Sequence, residues 1–462
     1  MAIPVQHAAV LGICRKIFFD RPANHQPRVY RFLAANVVNV EWWTTTASRS
    51  QMKALAMSAL KEPGLVNGDI DTFTDVFTAV LSGKLTDSTL FDFSQLRGRK
   101  PAGTVFDLIA STIDKPAFAA RIYAEFVAAC RDELCVWLTI YPLRKIYAPT
   151  SLRPIGGVRL IASLDDAEWI KLGVRFPELG QFQPPFAIFQ GHRLSGDFDP
   201  SAPGNLNFDT QSVWAVSEHT GTARGALKRA RADIAVFIAV LFAHVATHPS
   251  GIWTKGGADR DHRCLQVSKA ASRSNAYFVT ALGELMPPLM NAFTVDAKLL
   301  AAVDAWYAKL SGHANAQRAN TAASFLHHAI RADGIERYIH LFVVVDALFG
   351  ERNKVEVGVL AGIAKVFPGD AEWQARCAEL YGLRNAVVHG ACSDVDQWSG
   401  IEDYVRQFEA WPTDDAIEMA TAALRAYLDL PIPVPEKPRP YHSITRPIAQ
   451  FFSTVSRRLH VL

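Results

Sequence analysis

Apolar residues recur at helical spacing through most of the chain. Ser50 to Leu60 is rich in helix formers. Phe106, Ile109, Ile113, Phe118, Ile122 and Phe126 predict a helical run over Val105–Ala129, which Pro116 splits in two. Between 139 and 222 the pattern changes. Short runs rich in β-branched and aromatic residues predict strands at Val136–Tyr141, Val158–Ala162, Ala187–Gln190 and Val213–Val216, among many prolines and glycines. Helices resume at Arg224. Leu227, Ile234, Ile238, Leu241 and Val245 share one face of Ala226–Ala246, and Pro249, Gly251, Gly256 and Gly257 mark a loop beyond it. Further helices are predicted near 276–292, 296–311, 318–331 and 335–349, then at Glu372–His389 and Asp414–Leu430.

The expected fold is therefore mainly α. It comprises an N-terminal helical region (1–138), a smaller β-rich segment (139–222), a helical connector (223–317) and an all-α bundle (318–430). A Pro-rich linker and amphipathic tail (431–462) follow, with Arg457 and Arg458 on the tail's polar side.

Composition narrows the class. Of 462 residues, 49% are hydrophobic and 20% charged, which excludes a largely disordered chain. Lys and Arg total 48 against 45 Asp and Glu, so any nucleic-acid surface must be local. The longest apolar run, Ala232–Ala246, is interrupted by Asp233 and His244 and is too short to span a bilayer. The N-terminus lacks the basic region of a signal peptide. Six scattered cysteines form no CxxC pair, which points to free thiols in a reducing cytoplasm.

Candidate chemistry concentrates in Tyr381-Gly-Leu-Arg384-Asn385-Ala-Val-Val-His389-Gly390. On a helix, Asn385 and His389 share a face, and the long Arg384 stem reaches one edge of it. Gly390 stands where a helix C-terminus favours glycine. A guanidinium can stabilise charge on a phosphate, and an imidazole can exchange a proton with a 2′-hydroxyl or a leaving 5′-oxygen. Together they suit metal-free RNA cleavage to 2′,3′-cyclic phosphate and 5′-OH ends. The same residues also suit ordinary capping and dipole compensation at a helix end.

Arg384–His389 resembles the R-x4-H signature of the HEPN superfamily. Upstream, Arg337-Tyr338 through Asp346-Ala-Leu-Phe349 is similar to the R-[FY]-x5-ALExLF helix of Apea-like HEPN domains, with Asp346 in place of the family's Glu. The resemblance covers about 318–430, and the β-rich segment upstream is weakly similar to one that often precedes such domains. It implies a HEPN helical bundle and an endoribonuclease. Arg384 and His389 act directly, Asn385 positions phosphate or imidazole, and Asp346 orders Arg384. It also implies a homodimer with a composite site, RNA (tRNA in many relatives) as substrate, and a role in bacterial phage defence or a toxin–antitoxin system. Other members are non-catalytic dimerisation or binding modules that act as scaffolds or sensors. A phage-derived or antitoxin regulator then suits the long N-terminal region. No metal, cofactor or membrane is implied.

Other features weigh less. Arg224, Lys228, Arg229 and Arg231 fall within eight residues without an acid. They are a candidate RNA-backbone contact, though such runs are more often solvated helix faces. Arg97, Arg99 and Lys100 are similar. Asp259–Cys264 and the pair His244/His248 have weak metal-ligand spacing. His327, His328 and His340 are expected to be packing or surface residues.

Overall fold

The structure, a computed structural model, describes residues 4–19, 28–32, 40–84, 87, 89–92, 103–148, 151, 155–162, 165–177, 179, 212–245, 263–268, 277–281, 285–286, 289, 292–351 and 354–431. It is mainly helical. No helix among the described residues is long and apolar enough to cross a membrane.

The N-terminal unit carries helices α1 (Val5–Cys14), α2 (Thr46–Ala59), α3 (Ile70–Lys84) and α4 (Lys115–Asp132). Thr45 and Ser48 cap the start of α2 reciprocally, each side chain accepting the other's backbone N–H. The helices enclose their own core, in which Phe73 and Phe77 both pack edge-on to Phe126. Beside its helices the unit carries a small antiparallel sheet, β1 (Ile17–Phe18), β3 (Val40–Thr44) and β2 (Arg28–Phe32), in the order β1-β3-β2. One expectation is corrected here: 105–114 is not a helix. Thr104 and Asp107 close one 3-10 turn at Val105–Leu108, and Ile109 pairs with Phe91. The helical spacing of Phe106 and Ile109 reflects shared burial, and Pro116 lies in the first turn of α4.

The second sheet has the order β5-β6-β4-β7-β8, with β9 (Phe293–Thr294) parallel to the end of β4. Its long strand β4 (Cys135–Tyr147) pairs with β6 (Ser212–Gly221) and β7 (Arg263–Ser268). β5 (Val158–Ala162) and β8 (Tyr277–Ala281) lie at the edges. Alternation sends Leu138 and Ile140 to one face, against Trp169 and Leu172 of α5 (Asp166–Arg175). Tyr141 and Leu143 face the other way, onto α6 (Ala223–His244).

Strands β7 and β8 correct the expected connector at 223–317. Its 276–292 stretch begins with a strand, because a short apolar run such as Tyr277-Phe-Val-Thr-Ala suits either element. Ala187–Gln190, residues 97–100, His248, Asp259–His262 and 432–462 lie outside the described residues.

Helix α6 joins sheet to bundle. Ile234, Phe237, Ile238 and Leu241 belong to one continuous core with α7 (Ala297–Leu310), α8 (Ala316–Arg331), α9 (Gly334–Phe349), α10 (Val355–Val366), α11 (Ala371–Val388), α12 (Ile401–Phe408) and α13 (Pro412–Ala426). The bundle is thus not packed independently of the sheet. Helix α10 closes on the end of α9 through glycines. A Cβ on Gly358 would stand 2.5 Å from the Phe349 carbonyl oxygen. Gly358→Ala is expected to destabilise the protein by about 1–3 kcal/mol despite alanine's better helix propensity, read from urea unfolding.

Candidate active site

Helices α9 and α11 bring the motif residues together. Tyr338 of α9 donates its hydroxyl to the Leu380 carbonyl of α11 at 2.6 Å, wholly inside the core. This fixes the two helices along and about each other. The C-terminus of α9 is finished by Arg318 of α8, whose guanidinium donates to the Leu348 and Gly350 carbonyls at 3.2 and 2.6 Å. Asp346 sits one turn before that end.

Arg384 Nη2 donates to Asp346 Oδ2 at 3.3 Å, and Nη1 donates to Asn385 Oδ1 at 3.2 Å. The Tyr381 ring lies beneath the guanidinium, 5.4 Å from its carbon. Carboxylate, amide and ring hold one cation from three sides. The other guanidinium N–H groups have no partner among the described residues, which leaves donors for an anion. Asp346 is mostly buried, and its Oδ1 makes no hydrogen bond. Burial raises its pKa above the ordinary carboxylate value, while the Arg384 charge opposes that rise.

His389 caps α11. Gly390, with φ +77°, donates its N–H to the Val387 carbonyl at 3.1 Å, and Ala391 donates to Ala386 at 2.7 Å. This is a Schellman ending that requires a left-handed residue at Gly390. It leaves the imidazole exposed, with no side-chain hydrogen bond or ion pair among the described residues. Asn385 is therefore engaged with Arg384 and not with His389, and no hydrogen bond joins Arg384 to His389.

Sequence reasoning missed Tyr381 and Arg318. Tyr381 stands one turn before Arg384, a spacing at which an aromatic ring can meet a guanidinium. Nothing in the sequence ties Arg318 to the end of another helix.

The basic run does not act as a unit. Arg229 donates to the Asn67 and Thr220 carbonyls at 3.0 and 2.8 Å, and Arg224 pairs with Asp75 at 3.5 Å. Thr222 caps α6 and also donates to Asp69. Gly221 admits this seam, since a Cβ there would stand 2.2 Å from the Asn67 oxygen. Half of the run thus fastens the N-terminal unit to α6. Lys228 and Arg231 lie on the exposed side of the helix.

No group of three metal-ligating side chains occurs among the described residues. His244 Nδ1 bonds the Val240 carbonyl within its own helix. His327 is buried, and its Nε2–H donates to the Leu285 carbonyl at 2.7 Å. Burial lowers its pKa to about 3. The unfolded imidazole therefore binds a proton that the folded one refuses. The neutral ring's contribution is intact above pH ~6.5 and is lost as pH falls from there toward about 3. His327→Gln should flatten this limb. Between pH 6.5 and 5 the wild type should lose roughly 2 kcal/mol more than the variant in urea unfolding.

Compared with known protein families, curated proteins and solved structures, the chain matches none.

Proposed function

We propose that this protein is a metal-independent endoribonuclease of HEPN type whose site is built on α9 and α11. The observation that carries the reading is the clamped Arg384. A cation held by Asp346, Asn385 and Tyr381 keeps donors for a phosphate, and an exposed imidazole ends the same helix at His389, about one and a half turns further on. In the proposed reaction the 2′-oxygen attacks the adjacent phosphorus and the 5′-oxygen leaves. Arg384 stabilises the charge that builds on the phosphoryl oxygens, and His389 exchanges the proton. One chain supplies one such imidazole. A homodimer that apposes two α11 ends would supply acid and base together. RNA, with tRNA first among candidates, is the substrate. The N-terminal unit answers a phage-derived or antitoxin regulator, and the setting is bacterial defence in the cytoplasm.

Total cellular RNA incubated in EDTA with wild type and with Arg384→Ala/His389→Ala tests this. Cleavage by wild type alone, with 2′,3′-cyclic phosphate and 5′-OH ends, is the expected result. Cleavage by both proteins, or other end chemistry, overturns it.

A second reading rests on the absence of any bond between Arg384 and His389. In it the bundle is a non-catalytic dimerisation or binding module, and Arg384 with Asp346 only ties α9 to α11. Neither protein would then cleave RNA.

A further inference from the structure

Three aromatic rings stack at the surface where α8 meets α9, outside the site above. Phe325 and His328 lie one turn apart on α8. His340 of α9 stacks on both, with ring centroids 6.1 and 5.5 Å away and planes within 29° and 27° of parallel. His340 is buried, Phe325 half-buried and His328 exposed, so the ladder has an open outer rung.

Cations flank that rung. Arg331 follows His328 by one turn on α8, and Arg231 lies on α6, close enough for its charge to act on the His328 ring. Burial, His340 and both arginines favour the uncharged His328 ring. On α6, Lys228 lies three residues before Arg231, on the same exposed face. The only acid acting on His328 among the described residues is Glu336 of α9, whose carboxylate lies 3.5 Å from His340 Nε2.

A neutral exposed ring beside a line of cations is the surface that single-stranded nucleic acid recognises: bases stack on the ring, and phosphates follow the charges. We propose that the α6–α8 surface, with His328 as stacking platform and Lys228, Arg231 and Arg331 as backbone contacts, binds single-stranded RNA. Nothing in this patch reads a 2′-hydroxyl. The choice of RNA over DNA rests on the ribonuclease reading.

Fluorescence anisotropy with a labelled oligouridylate of about 12 nucleotides tests it. All variants are made in the full chain carrying Arg384→Ala, so that binding is measured without cleavage. His328→Ala is expected to weaken binding roughly tenfold, and His328→Phe to retain it. Lys228→Glu/Arg231→Glu should weaken binding further and lower the salt slope by roughly 1.4, from two phosphates at about 0.7 each. Unchanged affinity in His328→Ala and in the double variant overturns the proposal. So does equal affinity for a duplex of the same length, whose paired bases offer no face to His328. The two readings fail separately. Surface-dependent binding with no cleavage by wild type leaves this proposal standing and removes the nuclease. Cleavage by wild type whose KM is unchanged when the surface substitutions are placed in the otherwise wild-type chain does the reverse.

Discussion

On the proposed ribonuclease reading, His389→Ala is expected to slow RNA cleavage by about 10²–10⁴-fold, the usual worth of a positioned general acid or base, and to leave the unfolding midpoint where it was. Both halves follow from the geometry. The imidazole is exposed and bonds to no described residue, so removing it costs the fold almost nothing. Arg384→Lys should also lose at least about a hundredfold while keeping its charge. A lysine ammonium cannot donate to Asp346 and Asn385 at once and still present a planar fork to phosphate. Asp346→Asn should cost less than either, because Asn385 and Tyr381 still hold the guanidinium. Single-turnover rates on one mapped RNA site, with urea unfolding of each variant, check the series. Equal rates for wild type and His389→Ala would remove the imidazole from the mechanism.

Asp415→Ala is expected to be the most destabilising single substitution in the bundle, at roughly 3–5 kcal/mol. Asp415 of α13 is buried and accepts from two donors. One is Arg376 of α11. The other is the Tyr404 hydroxyl of α12, at 2.7 Å. Arg376 also bonds Glu372 and donates to the Phe408 carbonyl at 2.9 Å, so one guanidinium gathers three helices. Removing the carboxylate leaves a largely buried cation and a buried hydroxyl without their acceptor. Asp415→Asn restores an acceptor but not the charge, and should recover part of the loss. Urea unfolding at neutral pH measures both. A loss below about 1 kcal/mol for Asp415→Ala would mean that Arg376 escapes to solvent when its partner goes.

Much of this chain is local in origin and was therefore legible. Helices α6, α7, α8, α9 and α11 follow their apolar spacing to within a few residues, because a helix that buries one face must repeat that face every three to four positions. The Gly390 ending of α11 was legible for a similar reason: a left-handed residue is needed there, and glycine adopts it at least cost. Helix α10 was obscured by Gly358 and Gly362, which weaken the local signal and exist to let Phe349 approach. Helix α12 carries Ile401, Tyr404, Val405 and Phe408 at helical spacing and was there to be read. Sheet residues were harder. Strand β4 has partners from up to about 150 positions away in the chain, and pairing over such distances leaves no local periodicity to identify the partner.

By itself, the sequence determined a mainly helical chain. Spacing alone left Arg384 to His389 open to an ordinary helix-end reading, and it was the resemblance to HEPN motifs that singled out Arg384, Asn385, His389 and the upstream Asp346 as candidates. Only the tertiary structure decided what each side chain does. It turned Arg384 onto Asp346 and Asn385 and left His389 open. It also spent Arg229 and Arg224 on the N-terminal unit, although they read as equals of Lys228 and Arg231. The reason is physical. Helical periodicity sets which residues share a face, whereas the partner of a charged group is chosen by whatever the folded chain brings within hydrogen-bonding distance.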